Sequence, residues 1–407
     1  MSSLLNEDVV RALIRNSTVP VVFRDFVKNW PMCQWTVDKW SSLFGEKVIP
    51  FRCLNRGFVS DEPCWERRCD MKSVTFKQFL NTLDITEEWM YFDYKYLHQW
   101  FDGDTELFKE VSWKQFGFAD KGPTDTTVWV GSSGAHTPAH QDTYGVNIVA
   151  QVHGKKRWIL FPPDTAGMKP TRVPYEESSV YSELNFYCPN NLNVFNGLSG
   201  AHVVELSAGD ALLVPRGWWH YVQNMDPLNI TLNVWLPHEK DASARVSEAL
   251  IKILVAQICK DLPHETAKLL VNPNEDDIAD TPLAVLFLQL ETVSNLYMDS
   301  KRKTRRMKRQ KTCEGDPTPS DSEDCDVSAI LENSANKLEV PQSISTVDLI
   351  NLINDNIKKY ANTNKSFDED EVDGATANLC LTKAVIDAFS QSNVIELVKQ
   401  NMLSRLS

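Results

Sequence analysis

A chain of 407 residues with 42% hydrophobic and 10% aromatic residues can bury a large core and still have room for additions. Its net charge of −13 excludes nonspecific attachment to nucleic-acid phosphates as a whole-molecule property, leaving only a local basic patch for such a role. Nine cysteines without Cys-x-x-Cys pairs or zinc-ligand spacing read as free thiols of a reducing compartment; with no apolar signal segment and no bilayer-length apolar run, this points to the cytosol, with the nucleus second, and to no membrane.

Residues 6–15 place Val9, Val10, Leu13 and Ile14 on one helical face. Val19 to Phe23 reads as a strand, WTVDKWSSLFG as a helix ending at a C-cap glycine, Gly45, and Val48 to Arg52 as a further strand. Thr75 to Leu80 fits an amphipathic helix and Trp89 to Tyr94 an aromatic strand, and Trp100 to Phe118 reads as a connection packed over the next module. From Thr126 to Pro237 the pattern changes to short strands (TTVWVG, VNIVAQV, RWILFP, HVVELS, ALLVP, HYVQN, NITLNVWLP) punctuated by Gly, Pro, Asp and Asn. Many short strands predict a barrel or sandwich. A double-stranded β-helix of the cupin or jelly-roll kind would bring side chains from several strands to one mouth.

After Pro237 the periodicity turns helical, at Ala242 to Cys259 and at Pro282 to Met298. KRKTRRMKRQK then carries eight basic residues between Lys301 and Lys311, read as a solvated linker or helix end before a nuclear-import or RNA-contacting segment. EGDPTPSDSEDCD has the composition of disorder and holds Ser320 and Ser322 as weak phosphorylation candidates. Thr346 to Ile357 and Leu381 to Leu403 are amphipathic, separated by the acidic Phe367 to Glu371; apolar residues such as Val385, Phe389, Leu397 and Val398 should dock on the domain or on a partner. The expected organisation is a mainly β core with flanking helices: an N-terminal α/β segment (1–125), the β core (126–238), C-terminal helices (239–300), a charged disordered linker (301–343) and a terminal helical segment (344–407).

Chemistry is concentrated in AHTPAHQDTYGVNIVAQVHGKKRWILFPP, residues 135–163. In an extended strand His140 and Asp142, two apart, point to one face. His220 follows the apolar Ala211 to Val214 and a Pro-Arg-Gly turn, as a residue at a strand start would. Two histidines and a carboxylate are the set that holds iron(II) on one side and leaves the opposite positions open. A lone His-x-Asp is frequent by chance, and His136, His153 and His202, lacking such partners, read as structural or exposed. Trp218 and Trp219 read as core wall, and Lys155 and Arg157, alternating with Lys156, should face away from it.

Thr137 to Asp142, Gly154 to Trp158 with Leu160 to Pro163, and Gly209-Asp210 with Val214-Pro215 and Trp218 to His220 resemble the core blocks of the JmjC-domain oxygenases, most closely their hydroxylase-like branch. The resemblance covers roughly residues 15 to 240. It implies a JmjC barrel using iron(II), 2-oxoglutarate and O2, with His140, Asp142 and His220 as metal ligands. The far carboxylate of 2-oxoglutarate needs a cation and a hydroxyl in a buried site. Lys156 and Thr137 match the family positions that bind it, Asn147 and Asn233 match positions that hydrogen-bond the co-substrate near iron, and Tyr91 stands where a tyrosine often lies beside it. Asp93 to Tyr96, Phe116 to Phe118 and Pro174 to Val180 are similar to blocks of a family branch that associates with a small heat-shock protein, which implies such a partner. C-terminal helices often build a dimer surface in JmjC hydroxylases, so a homodimer is also implied; plain cover of the barrel weighs as much.

The leading functional expectation is an oxygenase hydroxylating a protein side chain. Methyl-lysine demethylation ranks lower because no zinc-finger or chromatin-reader cysteine pattern accompanies the barrel, and hydroxylation of a tRNA base is kept only by the basic run. A binding or scaffold protein that retains the barrel and holds a partner is the alternative, since fold does not establish activity. The intact triad with its lysine is more than a scaffold requires.

Overall fold

The computed structural model describes residues 5–83, 87–103, 105–171, 179–263, 267, 281–313, 326–361 and 377–406. Among the described residues fifteen strands are formed: β1 (Val21–Phe23), β2 (Val48–Asn55), β3 (Asp70–Thr75), β4 (Glu88–Tyr96), β5 (Thr126–Ser132), β6 (His136–Asp142), β7 (Val146–His153), β8 (Lys155–Phe161), β9 (Ser179–Tyr181), β10 (His202–Ser207), β11 (Ala211–Val214), β12 (Trp219–Asn224), β13 (Leu228–Leu236), β14 (Leu338–Glu339) and β15 (Gln342–Ser343). They make two antiparallel sheets, a nine-stranded one ordered β14-β1-β11-β7-β13-β5-β4-β2-β3 and a six-stranded one ordered β15-β10-β8-β12-β6-β9. The quartets β11-β7-β13-β5 and β10-β8-β12-β6 are the two walls of a double-stranded β-helix. The mainly β core with flanking helices expected from the sequence is therefore the observed architecture.

Period-2 alternation sorts each wall into two faces. On β7 and β13, Ile148, Ala150, Val152, Ile230, Leu232 and Val234 face outward into the largest hydrophobic cluster, built with the N-terminal helices and Trp40, Phe44, Phe76 and Phe92. Asn147, Val149, Thr231, Asn233 and Trp235 face inward. Because both faces are covered, β7 is buried from Val146 to Val152, which is why VNIVAQV reads as a nearly continuous apolar run. Between the sheets a second cluster (Val22, Trp158, Leu160, Val204, Leu206, Leu212) closes one side. A third covers the outer face of the smaller sheet with Phe186, Tyr187 and Phe195.

Local signals account for the helix ends. Helix Glu7–Asn16 is capped by Asn6, whose Oδ1 accepts from Val9 N at 2.9 Å. Val37–Phe44 is capped by Thr36 and stops at Gly45 with φ +59°, as predicted. Phe76–Leu80 opens with a capping box of Thr75 and Gln78.

The C-terminal third departs from expectation. The helix read as ending near 298 runs over Leu283–Cys313, through the basic tract, because Lys and Arg are good helix formers and no Gly or Pro interrupts them. Nor does linker character extend to 343: helix Val327–Asn333 is followed by β14, paired with β1, and β15, paired with β10. Arg24 fixes this return by pairing with Asp210 at 2.7 Å and Glu339 at 2.5 Å. Helix Thr346–Tyr360 then lies on the outer face of the smaller sheet, with Leu349 and Ile353 fully buried there. The single pattern expected over 381–403 is two helices, Ala377–Phe389 and Ser392–Leu406. Ile386 and Ile395 dock on helix Asp241–Cys259, while Val385, Phe389, Leu397 and Val398 stay exposed. Residues 314–325 with Ser320 and Ser322, Pro174 to Ser178 and the acidic Phe367 to Glu371 lie outside the described residues.

Candidate active site

β6 and β12 pair so that His140 and His220 stand directly opposite each other, and the register slips between His220 and Val222. Their ring centroids are 4.0 Å apart, and the ligand atoms of His140, Asp142 and His220 all lie within 4.8 Å of one another. Both imidazoles are set the same way: His140 Nδ1 bonds the Pro138 carbonyl and His220 Nδ1 the Trp218 carbonyl, each at 2.9 Å. With Nδ1 donating, each ring turns the lone pair of Nε2 outward, the tautomer a metal ligand requires. Burial, with His220 beside it, lowers the His140 pKa to about 4 against the opposing pull of Asp142, so the ring is neutral at pH 7. The strand ends are tied together by Gly217 N, which donates to Asp142 O at 3.0 Å, and by Gln141 Nε2, which donates to Gly217 O at 2.7 Å.

Behind the triad lies a chamber of about 40 Å³ lined by Tyr91, Thr137, Asn147, Lys156, His220, Asn233 and Trp235, among others. The turn feeding Lys156 into it depends on Gly154, at φ +70°, where an added Cβ would sit 2.1 Å from the Leu228 carbonyl. Lys156 Nζ donates to Tyr91 Oη at 3.2 Å, and Thr137 stands beside the same phenol. Burial drives the Lys156 pKa down to about 7, opposed by Asp93, and drives the Tyr91 phenol upward. Among the described residues, the other buried Lys and Arg side chains have carboxylate partners: Arg52 pairs with Asp93 at 2.7 Å and Lys399 with Glu396. Lys156 has none. A buried lysine without a carboxylate partner, its charged form disfavoured by burial, could hold an anion between the two sheets.

On the opposite wall Asn233 Nδ2 donates to Asn147 Oδ1 at 2.9 Å, while Asn233 Oδ1 accepts from Trp129 Nε1 at 2.7 Å and from the Thr127 hydroxyl. Each candidate named from the sequence lines one of two cavities that share Trp129, Thr137, His140 and Trp235, with Asp142 lining the outer one. Lys155 and Arg157 turn outward, and Arg157 pairs with Glu205 at 2.7 Å. His136 stacks on Tyr187 in the core, and Trp218 and Trp219 are core wall.

No motif in the sequence marks Trp129 or Trp235, although Trp235 is two residues after Asn233 on β13 and so shares its inward face. Trp235 Nε1 donates to Asp142 Oδ2 at 3.1 Å. Outside the triad a cleft of about 530 Å³ opens between Tyr94, Tyr96, Tyr144, Tyr181, Trp235 and Arg245. Tyr94 sits at φ +52°, where the β4–β5 register slips between Phe92 and Lys95. This bulge aims its ring at Trp129 and Trp235.

The residues fit iron(II) by donor type and tautomer, and fit a dicarboxylate by the unpaired Lys156. A double-stranded β-helix with this mouth defines a class, and the comparisons agree: residues 8–242 match the model of the cupin-like domain family, and the chain belongs to that family, in which its motifs resemble the JmjC members. Among particular proteins, the chain is 41% identical over 273 residues to HSPB1-associated protein 1 of Bos taurus, covering 63% of this chain and 56% of that one. It is 37% identical over 309 residues to the HSPB1-associated protein 1 homolog of Danio rerio (72% of this chain, 68% of the relative). It is also 26% identical over 232 residues to lysine-specific demethylase JMJ30 of Arabidopsis thaliana (55% and 51%). The chain spans little more than half the length of the bovine relative. Among the described residues no helix is long and apolar enough to cross a membrane.

Proposed function

We propose that this protein is an iron(II)- and 2-oxoglutarate-dependent oxygenase that hydroxylates a protein side chain. The observation that carries the reading is the pairing of a His-Asp-His mouth with a buried lysine that lacks a counter-ion on the same chamber. Iron(II) held there would couple decarboxylation of 2-oxoglutarate by O2, giving succinate and CO2, to insertion of one oxygen atom into a C–H bond. His140, Asp142 and His220 would hold the metal on one side. Lys156, with Thr137 and Tyr91, would take the far carboxylate, and the linked Asn147 and Asn233 would orient the co-substrate on the opposite wall. The aromatic cleft would bring the target side chain to the mouth and exclude water.

The test is conversion of 2-oxoglutarate to succinate with iron(II) and ascorbate, wild type beside His140→Ala, with iron content measured on the same samples. Turnover and iron lost together in the variant are expected; turnover unchanged in His140→Ala would refute the assignment.

A second reading takes its support from relatives named for association with HSPB1 and from the exposed Val285, Phe287, Leu288 and Leu296 on helix Leu283–Cys313. In it the helices dock a small heat-shock protein irrespective of the barrel's chemistry. Full association by His140→Ala, together with absence of metal binding by the wild type, would favour it over the oxygenase.

A further inference from the structure

We propose that Trp235 is a positioning residue that keeps Asp142 to a single metal-facing oxygen, an inference that rests on the triad being a metal site. The three members are not held alike. His140 and His220 are oriented by main-chain carbonyls, which no substitution removes. Asp142 is oriented by a side chain: Trp235 Nε1 donates to Oδ2, while Oδ1 is the oxygen near His140, 3.8 Å from its Nε2. An indole N–H is a donor only and cannot rotate, so it occupies one oxygen and leaves the other for the metal. A carboxylate freed from that bond can chelate with both oxygens and take a position that the oxoacid and O2 need. The indole is itself braced, since Tyr94, at φ +52°, packs its ring 5.5 Å from that of Trp235.

Trp235 is only half-buried at the cleft, so its replacement by Phe opens no core cavity. The experiment is titration of the metal-free protein with Mn(II), followed by titration of the Mn(II)-loaded protein with 2-oxoglutarate. The proteins compared are wild type, Trp235→Phe, Trp235→His and Tyr94→Phe, with the metal-free Tm of each recorded. Trp235→Phe is expected to weaken Mn(II) binding by about 10- to 100-fold, the usual effect of losing a partner of a metal ligand. The loaded variant is expected to bind 2-oxoglutarate several-fold more weakly. Trp235→His, which restores a ring N–H, should recover part of both, and Tyr94→Phe, which keeps the brace, neither effect. Equal Mn(II) and 2-oxoglutarate affinities in wild type and Trp235→Phe would overturn the role of Trp235 alone. Failure of the wild type to bind Mn(II) would overturn the metal reading and this role with it. A loss in Trp235→Phe matched by an equal fall in metal-free Tm and not relieved in Trp235→His would mark a merely structural residue and overturn the proposal.

Discussion

The two faces of β13 carry opposite chemistry. Ile230, Leu232 and Val234 pack outward against the N-terminal helices, whereas Thr231, Asn233 and Trp235, alternating with them, face a polar chamber. An ordinary β-sandwich keeps its apolar core between the sheets. Here much of that space holds imidazoles, amides and an ammonium, and the larger apolar clusters lie outside. Apolar packing is concentrated in the outer shells and the candidate site on the inner faces, so substitutions on the two sides should separate.

The largest expected effect is on the inner side: His140→Ala should reduce succinate formation by ~10³-fold or more, equivalent to about 4 kcal/mol of barrier, while shifting the urea midpoint little. The outer side should behave inversely. Leu349→Ala, under the smaller sheet, should cost about 2–5 kcal/mol of stability in urea unfolding and leave metal affinity of the folded protein unchanged. Lys156→Met sharpens the contrast because it should move both quantities in opposite directions. Removal of an uncompensated buried charge should raise unliganded stability by about 1–3 kcal/mol, read as a higher Tm, while 2-oxoglutarate affinity falls by roughly 10- to 100-fold with the loss of a charge-assisted bond.

The smallest effect is a pH slope. The folded lysine titrates near about 7, whereas in the unfolded chain it keeps its proton to about 10.4. Between those values the unfolded state binds more protons, so the lysine's contribution makes stability rise with pH across that window. An anion favours the protonated form, so 2-oxoglutarate affinity should decline as pH rises above about 7, by at most about tenfold per unit. A wild-type binding curve as flat as that of Lys156→Met between pH 7 and 9 would contradict this account.

How much could be read beforehand follows from the range of the interactions. His140 and Asp142 needed only strand alternation, and Gly45 and Thr75 only local capping geometry. Lys156 and Asn233 could be singled out only through the match of their blocks to family positions, since Lys156 lies within the basic run Lys155 to Arg157 and no local pattern sets it apart. The Arg52–Asp93 pair and the approach of Trp235 to Asp142 depend on segments about 40 and 90 residues apart, which no local pattern encodes. The re-entry of residues 338–360 was hidden for a related reason: β14 and β15 have two residues each, too few for any periodicity to register.

That re-entry has a consequence for synthesis. The family module ends at residue 242, yet β14 and β15 extend one sheet each and helix Thr346–Tyr360 covers Phe186 and Tyr187. As the chain leaves the ribosome, both walls exist about a hundred residues before their last neighbours arrive, a separation that slows completion and leaves apolar surface bare meanwhile. Until the C-terminal segment returns, Phe186 and Tyr187 lack the helix that buries them in the finished fold.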